Sequence, residues 1–249
     1  MRRLLFDPRA GAGYPGRGHE RSCDLIHALI FDVDGTLAET EEAHREAFNR
    51  VFAREGFGWI WSVERYRELL RVTGGKERIA RYLADEGLSL SPERIAALHG
   101  LKNEAYMQIL RGGGAQLRTG IAEIVAEARV AGVKLAICTT TSRVNIETLL
   151  DVTLGPEGRS MFPVVVTGED VRAKKPDPEA YLLALAQLGL PASQCLALED
   201  SRNGVAAAVA AGVRVVACPS LYTSHEAFPG ATAVLADWRG FDWRGLEPA

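Results

Sequence analysis

The chain has 249 residues, of which 47% are hydrophobic and 24% charged, and its formal net charge is −3. That composition is ordinary for a folded globular protein, and the length allows one large domain or a core with a smaller second domain. The small negative charge gives no electrostatic basis for a nucleic-acid partner or an anionic membrane, and no apolar run reaches the ~18 residues of a transmembrane helix. The expected location is the cytoplasm.

Residues 1–24 carry Arg2-Arg3, Ala10-Gly11-Ala12-Gly13 and Pro15-Gly16-Arg17-Gly18, with no periodic apolar positions and no secretory core. They read as a disordered tail, and native translation is expected to begin near Leu25. The next stretch, Ala28 to Leu37, organises the chain. Ala28-Leu29-Ile30-Phe31 is an apolar run suited to a buried parallel strand. Asp32 and Asp34 follow, and Gly35 permits a sharp turn because it lacks a Cβ. Two carboxylates at ~4 Å in an effective dielectric of ~20 repel by about 4 kcal/mol. A shared proton or a hard cation such as Mg²⁺ relieves that repulsion.

From Thr40 the pattern is helical, with Ala43, Ala47, Phe48, Val51 and Phe52 spaced by threes and fours. Trp59 and Trp61 sit in a break. Further helices are expected over residues 63–71, 77–86 and 92–110, the last opened by Ser91 and Pro92, until Gly112-Gly113-Gly114 ends the block. Helices over 121–131, 144–150, 178–188 and 203–211 then alternate with apolar strands over 133–138, 164–166, 195–198 and 213–217. Alternation of this kind predicts an α/β fold, a Rossmann-like parallel sheet with helices on both faces. Residues 25–39 and 117–249 form the expected core, and residues 40–116 an inserted helical domain. Of the four cysteines, Cys23, Cys138, Cys195 and Cys218, three lie in or beside apolar strand-like runs and none forms a Cys-x-x-Cys pair. Buried thiols are expected, not disulfides or a zinc site.

Polar groups recur at the strand ends, where ligand sites of open α/β sheets lie. Thr139-Thr140-Thr141-Ser142 offers hydroxyls and backbone N–H groups just before a helix, a phosphate-binding arrangement. A lysine of Lys174-Lys175-Pro176-Asp177-Pro178 can place a point charge on a phosphate and on Asp32. Glu199 and Asp200 leave a buried strand, which is costly without a cation. In the helical block, Glu41 and His44 share a helix face and are expected to point into a cleft. Gly74 and Gly75 free backbone N–H groups beside Lys76 and Arg78, and Tyr66 adds a hydroxyl, so a second anion can be held there.

Asp32-Val33-Asp34-Gly35-Thr36, then Thr139, Lys175-Pro176 and Glu199-Asp200-Ser201 with Gly204 resemble, in order, the four motifs of the haloacid dehalogenase superfamily in its phosphatase branch. The resemblance spans about residues 27 to 236. It implies that Asp32 is the nucleophile that takes the phosphoryl group and that Asp34 is the general acid, then base. Lys175 and Thr139 complete the catalytic set; Lys174 falls outside it. Mg²⁺ is the implied cofactor, with Asp32, Asp34, Glu199 and Asp200 as its expected ligands. One departure is Leu117-Arg118-Thr119-Gly120, where relatives usually have Pro-Gly; Thr119 is expected to loosen a hinge slightly.

The string Ala38-Glu39-Thr40-Glu41-Glu42, the Trp59 and Trp61 pair, and the run Thr73 to Arg81 narrow the resemblance to the CbbY group. These are Calvin-cycle phosphatases that remove the 1-phosphate of xylulose 1,5-bisphosphate, a Rubisco inhibitor. The implied partner is a small sugar bisphosphate, with the protein as a monomer. Glu41, His44, Tyr66, Gly74, Gly75, Lys76, Arg78, Thr140, Thr141 and Ser142 would bind it. A β-phosphoglucomutase-like phosphotransferase shares a hinge Thr and His, here Thr40 and His44, but Thr36 stands where such mutases often have an apolar residue. A broad sugar-phosphate or phosphoglycolate phosphatase would use the same core motifs. A non-catalytic binding protein could also be built on this fold.

Overall fold

Period-two burial along the first strand, β1 (Ala28–Phe31), covers both faces of the sheet. Leu29 and Phe31 join one apolar cluster with Ile124, Leu149 and Trp238, while Ala28 and Ile30 join another with Tyr181, Ala184 and Val205. The computed structural model describes residues 25–246; the expected tail over 1–24, Cys23 included, lies outside the described residues. The other strands are β2 (Lys134–Cys138), β3 (Val164–Val166), β4 (Cys195–Glu199), β5 (Arg214–Ala217) and β6 (Ala233–Val234). They form one parallel sheet in the order β3-β2-β1-β4-β5-β6. Chain order reverses about β1, and a crevice opens at the carboxyl end of such a switch point.

Between β1 and the rest of the sheet lie α1 (Glu41–Arg54), α2 (Val63–Leu69), α3 (Gly75–Asp85) and α4 (Pro92–Arg111). These helices close around their own apolar cluster. Trp61 is fully buried there, its ring 4.5 Å from Phe48, 5.0 Å from Phe52 and 5.5 Å from Tyr82. Ser62 and Ser91 cap their helices by accepting from the N–H groups of Arg65 and Arg94, and Pro92 opens the last one. The chain enters this block at Ala38 and leaves it at Leu117, and those two residues pair in an antiparallel bridge. The sheet is covered by α5 (Ile121–Val130), α6 (Arg143–Leu154), α7 (Glu179–Leu188) and α8 (Arg202–Ala210).

Most differences from the expected bounds have a local cause. Helix α6 runs to Leu154, not 150, and inside it Thr148 and Thr153 turn their hydroxyls onto the Val144 and Leu149 carbonyls. Helix α2 stops at Leu69, where Arg71 and Val72 switch to tighter three-residue bonds. Strand β6 has only two residues, too few for a period to show in sequence. Cys138, Cys195 and Cys218 are free and buried, as expected. Among the described residues no helix is long and apolar enough to cross a membrane.

Gly120 fixes how the C-terminal segment sits on α5. Its φ is +96°, and a Cβ there would lie 2.4 Å from the Trp238 carbonyl. Gly120→Ala is therefore expected to destabilise the protein by roughly 2–4 kcal/mol. A urea melt checks this; a wild-type midpoint would contradict the seating of the segment around Trp238.

Candidate active site

Asp32 is the first residue after β1, and its N–H donates to the Leu198 carbonyl at 3.0 Å, which sets it beside the end of β4. Glu199 ends β4, and Asp200 follows it. Lys175 reaches this point from the loop after β3, its side chain only 3% exposed. Its ammonium donates to Asp32 Oδ1 at 2.8 Å, to Glu199 Oε1 at 2.6 Å and to the Cys138 carbonyl at 2.6 Å, so its three protons are all engaged. Tyr181 also donates to Glu199 Oε1, at 2.6 Å.

The backbone makes room for these carboxylates. At Gly35, φ +86°, a Cβ would lie 2.2 Å from Asp200 Oδ2, and at Gly204 one would lie 1.9 Å from Glu199 Oε2. Asp32, Glu199 and Asp200 each offer an oxygen within 4.8 Å of the others, and all three are buried. One ammonium faces three carboxylates. Burial pushes the Asp32 carboxyl up to about 8 even against Lys175. Burial, with the charges of Asp32 and Glu199, raises Asp200 well above the usual carboxylate range. Glu199 Oε2 is buried without a hydrogen-bond partner. An all-oxygen donor set with an orphaned carboxylate oxygen and excess negative charge fits a hard divalent cation such as Mg²⁺.

The Asp34 carboxylate is not in that cluster, which differs from its expected place among the ligands. The N–H groups of Thr36, Leu37 and Ala38 all converge on the Val33 carbonyl, so strand alternation ends at Val33 and Asp34 turns toward the helical insert. Its Oδ1 accepts from Thr40 Oγ1 at 2.5 Å and lies 3.0 Å from His44 Nε2. His44 stacks on Tyr106, 3.8 Å between ring centroids, and its Nδ1 lies 2.5 Å from Lys102 Nζ. An ammonium only donates, so a charged Lys102 requires Nδ1 to accept and Nε2–H to point at Asp34. Burial alone would raise the Asp34 carboxyl, but the charge and hydrogen bond of His44 and the Thr40 hydroxyl outweigh it and hold the group at about 2. Burial and Lys102 hold His44 below its ordinary value. Burial pulls Lys102 down to about 7, and no carboxylate among the described residues is within ion-pair distance of it.

These groups share a cavity of about 500 Å³ between the sheet edge and the insert. Thr139, directly after β2, lines it with Thr140, Thr141 and Ser142. From the insert come Glu41, His44, Gly74, Gly75, Lys76 and Arg78, all expected there. Tyr66 is not among the lining residues. It is fully buried behind them, its hydroxyl accepting from Arg78 Nη1 at 2.9 Å and donating to Glu41 Oε2 at 2.7 Å. Lys174, read as outside the site, lines the cavity and pairs with Glu77 of α3 at 2.5 Å. His99, Lys102 and Asn103 on α4 also line it. In sequence they read only as one helix face, spaced by three and four; Lys102 meets His44 of α1, while Asn103 meets Ser142 and Asn145 at the start of α6. His99 is pushed down to about 3 by burial and the nearby lysines, and so is neutral.

A family model described as haloacid dehalogenase-like hydrolase matches residues 26–212. The chain belongs to the haloacid dehalogenase-like hydrolases. Within them it falls in the CbbY-like group. It is 50% identical over 214 residues to protein CbbY of Rhodobacter capsulatus, covering 86% of this chain and 92% of that one. It also matches the structure of a CbbY variant from Rhodobacter sphaeroides in complex with xylulose 1,5-bisphosphate, with a TM-score of 0.86 and 46% identity, over 90% of this chain and all of that one. A phosphorylated carbohydrates phosphatase of Thermotoga maritima is 32% identical over 192 residues, 76% of this chain and 82% of that one. This hydrolase therefore shares its fold and most of its length with the CbbY proteins.

Lys102 has a testable cost. Its pKa is depressed in the folded protein, so the unfolded chain binds more protons and stability rises with pH between about 7 and 10.5. Lys102→Met removes that cost. The variant is expected to be more stable than wild type by on the order of 1–3 kcal/mol near and below pH 7, with the gap closing toward pH 10.5. Denaturant melts across pH check this; a gap that grows with pH would contradict a depressed Lys102.

Proposed function

We propose that this hydrolase is a Mg²⁺-dependent sugar-phosphate phosphatase that works through an aspartyl-phosphate on Asp32. Its proposed substrate is xylulose 1,5-bisphosphate, cleaved at the 1-phosphate to give xylulose 5-phosphate and phosphate. The observation that carries this is one cavity with two unlike ends. At the sheet edge sit the buried carboxylates Asp32, Glu199 and Asp200 with Lys175; on the insert sit Lys76, Arg78 and the Gly74-Gly75 backbone. A bisphosphate supplies an anion for each end. In this scheme residues 25–39 and 117–249 are the core, and residues 40–116 a cap that closes over the site and excludes water. The proposed setting is a cytoplasmic Calvin cycle, where removing this bisphosphate relieves Rubisco.

Asp32 Oδ attacks phosphorus as the bond from phosphorus to the sugar oxygen breaks. Lys175 fixes the attacking carboxylate through its 2.8 Å contact with Oδ1. Thr139, with the backbone of the following residues, faces the phosphoryl oxygens. Asp34 gives its proton to the departing sugar oxygen. It then takes one from water, whose oxygen displaces Asp32 and frees phosphate. Asp34 rests ionised, the form that serves as base. The proton it gives arrives through His44, whose Nε2 touches it and whose Nδ1 touches Lys102. Mg²⁺ bound by Asp32, Glu199 and Asp200 would neutralise charge on the transferring group. Glu41 faces the sugar hydroxyls.

Phosphate release from xylulose 1,5-bisphosphate, ribulose 1,5-bisphosphate, phosphoglycolate and glucose phosphates tests the assignment. A strong Mg²⁺-dependent preference for the xylulose compound is expected. A flat or monophosphate-biased profile would discard the substrate, and label moving to a second hydroxyl would mark a mutase. Lys76→Ala is expected to raise KM for the bisphosphate by about tenfold to a hundredfold and to leave hydrolysis of p-nitrophenyl phosphate nearly unchanged. Equal losses on both would remove Lys76 from the distal end.

A further inference from the structure

Arg118 lies in the segment where the chain leaves the helical insert, and its side chain is 10% exposed. Nη1 donates to the Gly35 carbonyl at 2.5 Å and to the Cys218 carbonyl at 2.6 Å. Nη2 donates to the Pro219 carbonyl at 2.9 Å and faces Cys218 Sγ at 3.2 Å. Nε lies 3.2 Å from Glu39 Oε1, just before the insert begins. Four hydrogen bonds leave the two Nη atoms, and Nε adds an ion-pair contact with Glu39. Three chain segments meet on one side chain: the turn that carries Asp32 and Asp34, the entry to the insert, and the loop after β5.

That loop leads directly to Asp200. The Ser220 N–H donates to Thr223 Oγ1 at 2.8 Å, and Thr223 Oγ1 donates to Asp200 Oδ2 at 3.0 Å. From the other side, Gly35 is packed so tightly on the same groups that a Cβ would lie 2.2 Å from Asp200 Oδ2 and 3.0 Å from Ser220 Oγ. The guanidinium therefore sits behind the site and bridges the two backbones whose spacing fixes Asp32 and Asp34 against Asp200. A cation this enclosed is an expensive way to fill space, and among the described residues its one carboxylate partner, Glu39, is half exposed. Simple packing does not account for it.

We propose that Arg118 is a positioning residue, which ties the Gly35 carbonyl of the catalytic turn to the Cys218-Pro219 backbone and so sets Asp32 and Asp34 in register with Asp200. It touches no reacting atom. The kinetic part of the proposal rests on the phosphatase assignment; the metal-binding part stands without it.

The test uses Arg118→Ala and Arg118→Lys in the full chain, with p-nitrophenyl phosphate kinetics and calorimetric Mg²⁺ titration. Misplacing the turn by about an ångström predicts a loss of about a hundredfold in kcat for Arg118→Ala, with KM little changed. Mg²⁺ binding should weaken by about tenfold or more. Low-millimolar guanidinium should restore part of both, and the same concentration of sodium chloride should restore neither. Arg118→Lys should recover only a fraction, because one ammonium cannot serve three carbonyls in the guanidinium's fork geometry. Wild-type kcat and wild-type Mg²⁺ affinity in either variant would overturn the proposal. If Arg118→Ala does not fold, Arg118→Lys decides alone on the same criterion. A wild-type protein that binds Mg²⁺ but releases no phosphate would count against the phosphatase assignment, while the Mg²⁺ titration of the variants would still decide the role of Arg118.

Discussion

Three carboxylates share one buried ammonium at the end of β1, and the rest of the site is arranged around that imbalance. Lys175 contacts two of the three, Asp32 and Glu199, and has no proton left for Asp200. Bringing such groups together out of water is unfavourable unless further positive charge joins them. The strands drive the meeting. Apolar residues bury β1 and β4 side by side in the centre of the sheet, and the first polar residues at their ends are Asp32, just after β1, and Glu199, the last residue of β4. The hydrophobic effect thus holds in place an acidic cluster that would not assemble alone, and its excess negative charge is what a hard cation can use.

Asp32 and Asp34 are two positions apart in sequence and live in opposite surroundings. Asp32 is pushed up by burial among like charges; Asp34 is held down by His44 and Thr40. Pairs of carboxyls whose environments diverge are suited to different chemical roles. The helical insert makes this difference, since Thr40, His44 and Lys102 all belong to its span and all bear on Asp34. Insert and sheet are also joined by Lys174 with Glu77 and by Asn203 with Thr73, at 2.5 and 3.2 Å. The protonation environment of Asp34 and the placement of the insert are therefore coupled through direct contacts.

Sequence reading found the groups whose position follows from local pattern. Asp32, Thr139, Lys175, Glu199 and Asp200 each follow an apolar strand or its loop, so burying the strand delivers them to one edge. Lys102 and His99 were not legible, because a lysine and a histidine on a helix of mixed polarity look like a solvated face until α4 packs on α1. Arg118 drew notice only as the neighbour of Thr119; its five contacts come from segments as far apart as residues 35 and 219. Tyr66 was expected to face the cavity, yet aromatic packing around Trp61 and Phe48 turns it inward, where it orients Arg78. The two-residue β6 escapes for a different reason, since it has too few residues to carry a period.

Chemistry at Asp32 is the central claim, and chemical trapping tests it most directly. Protein turning over a sugar bisphosphate with Mg²⁺ is quenched in acid, reduced with borohydride and mapped by peptide mass spectrometry. An acyl phosphate on Asp32 reduces to an alcohol, so the peptide spanning residues 28–37 should lose the mass of the carboxyl-to-alcohol change at Asp32, and only in samples quenched during turnover. Reduction at another carboxylate, or none at Asp32 while phosphate is being released, would contradict Asp32 as the nucleophile.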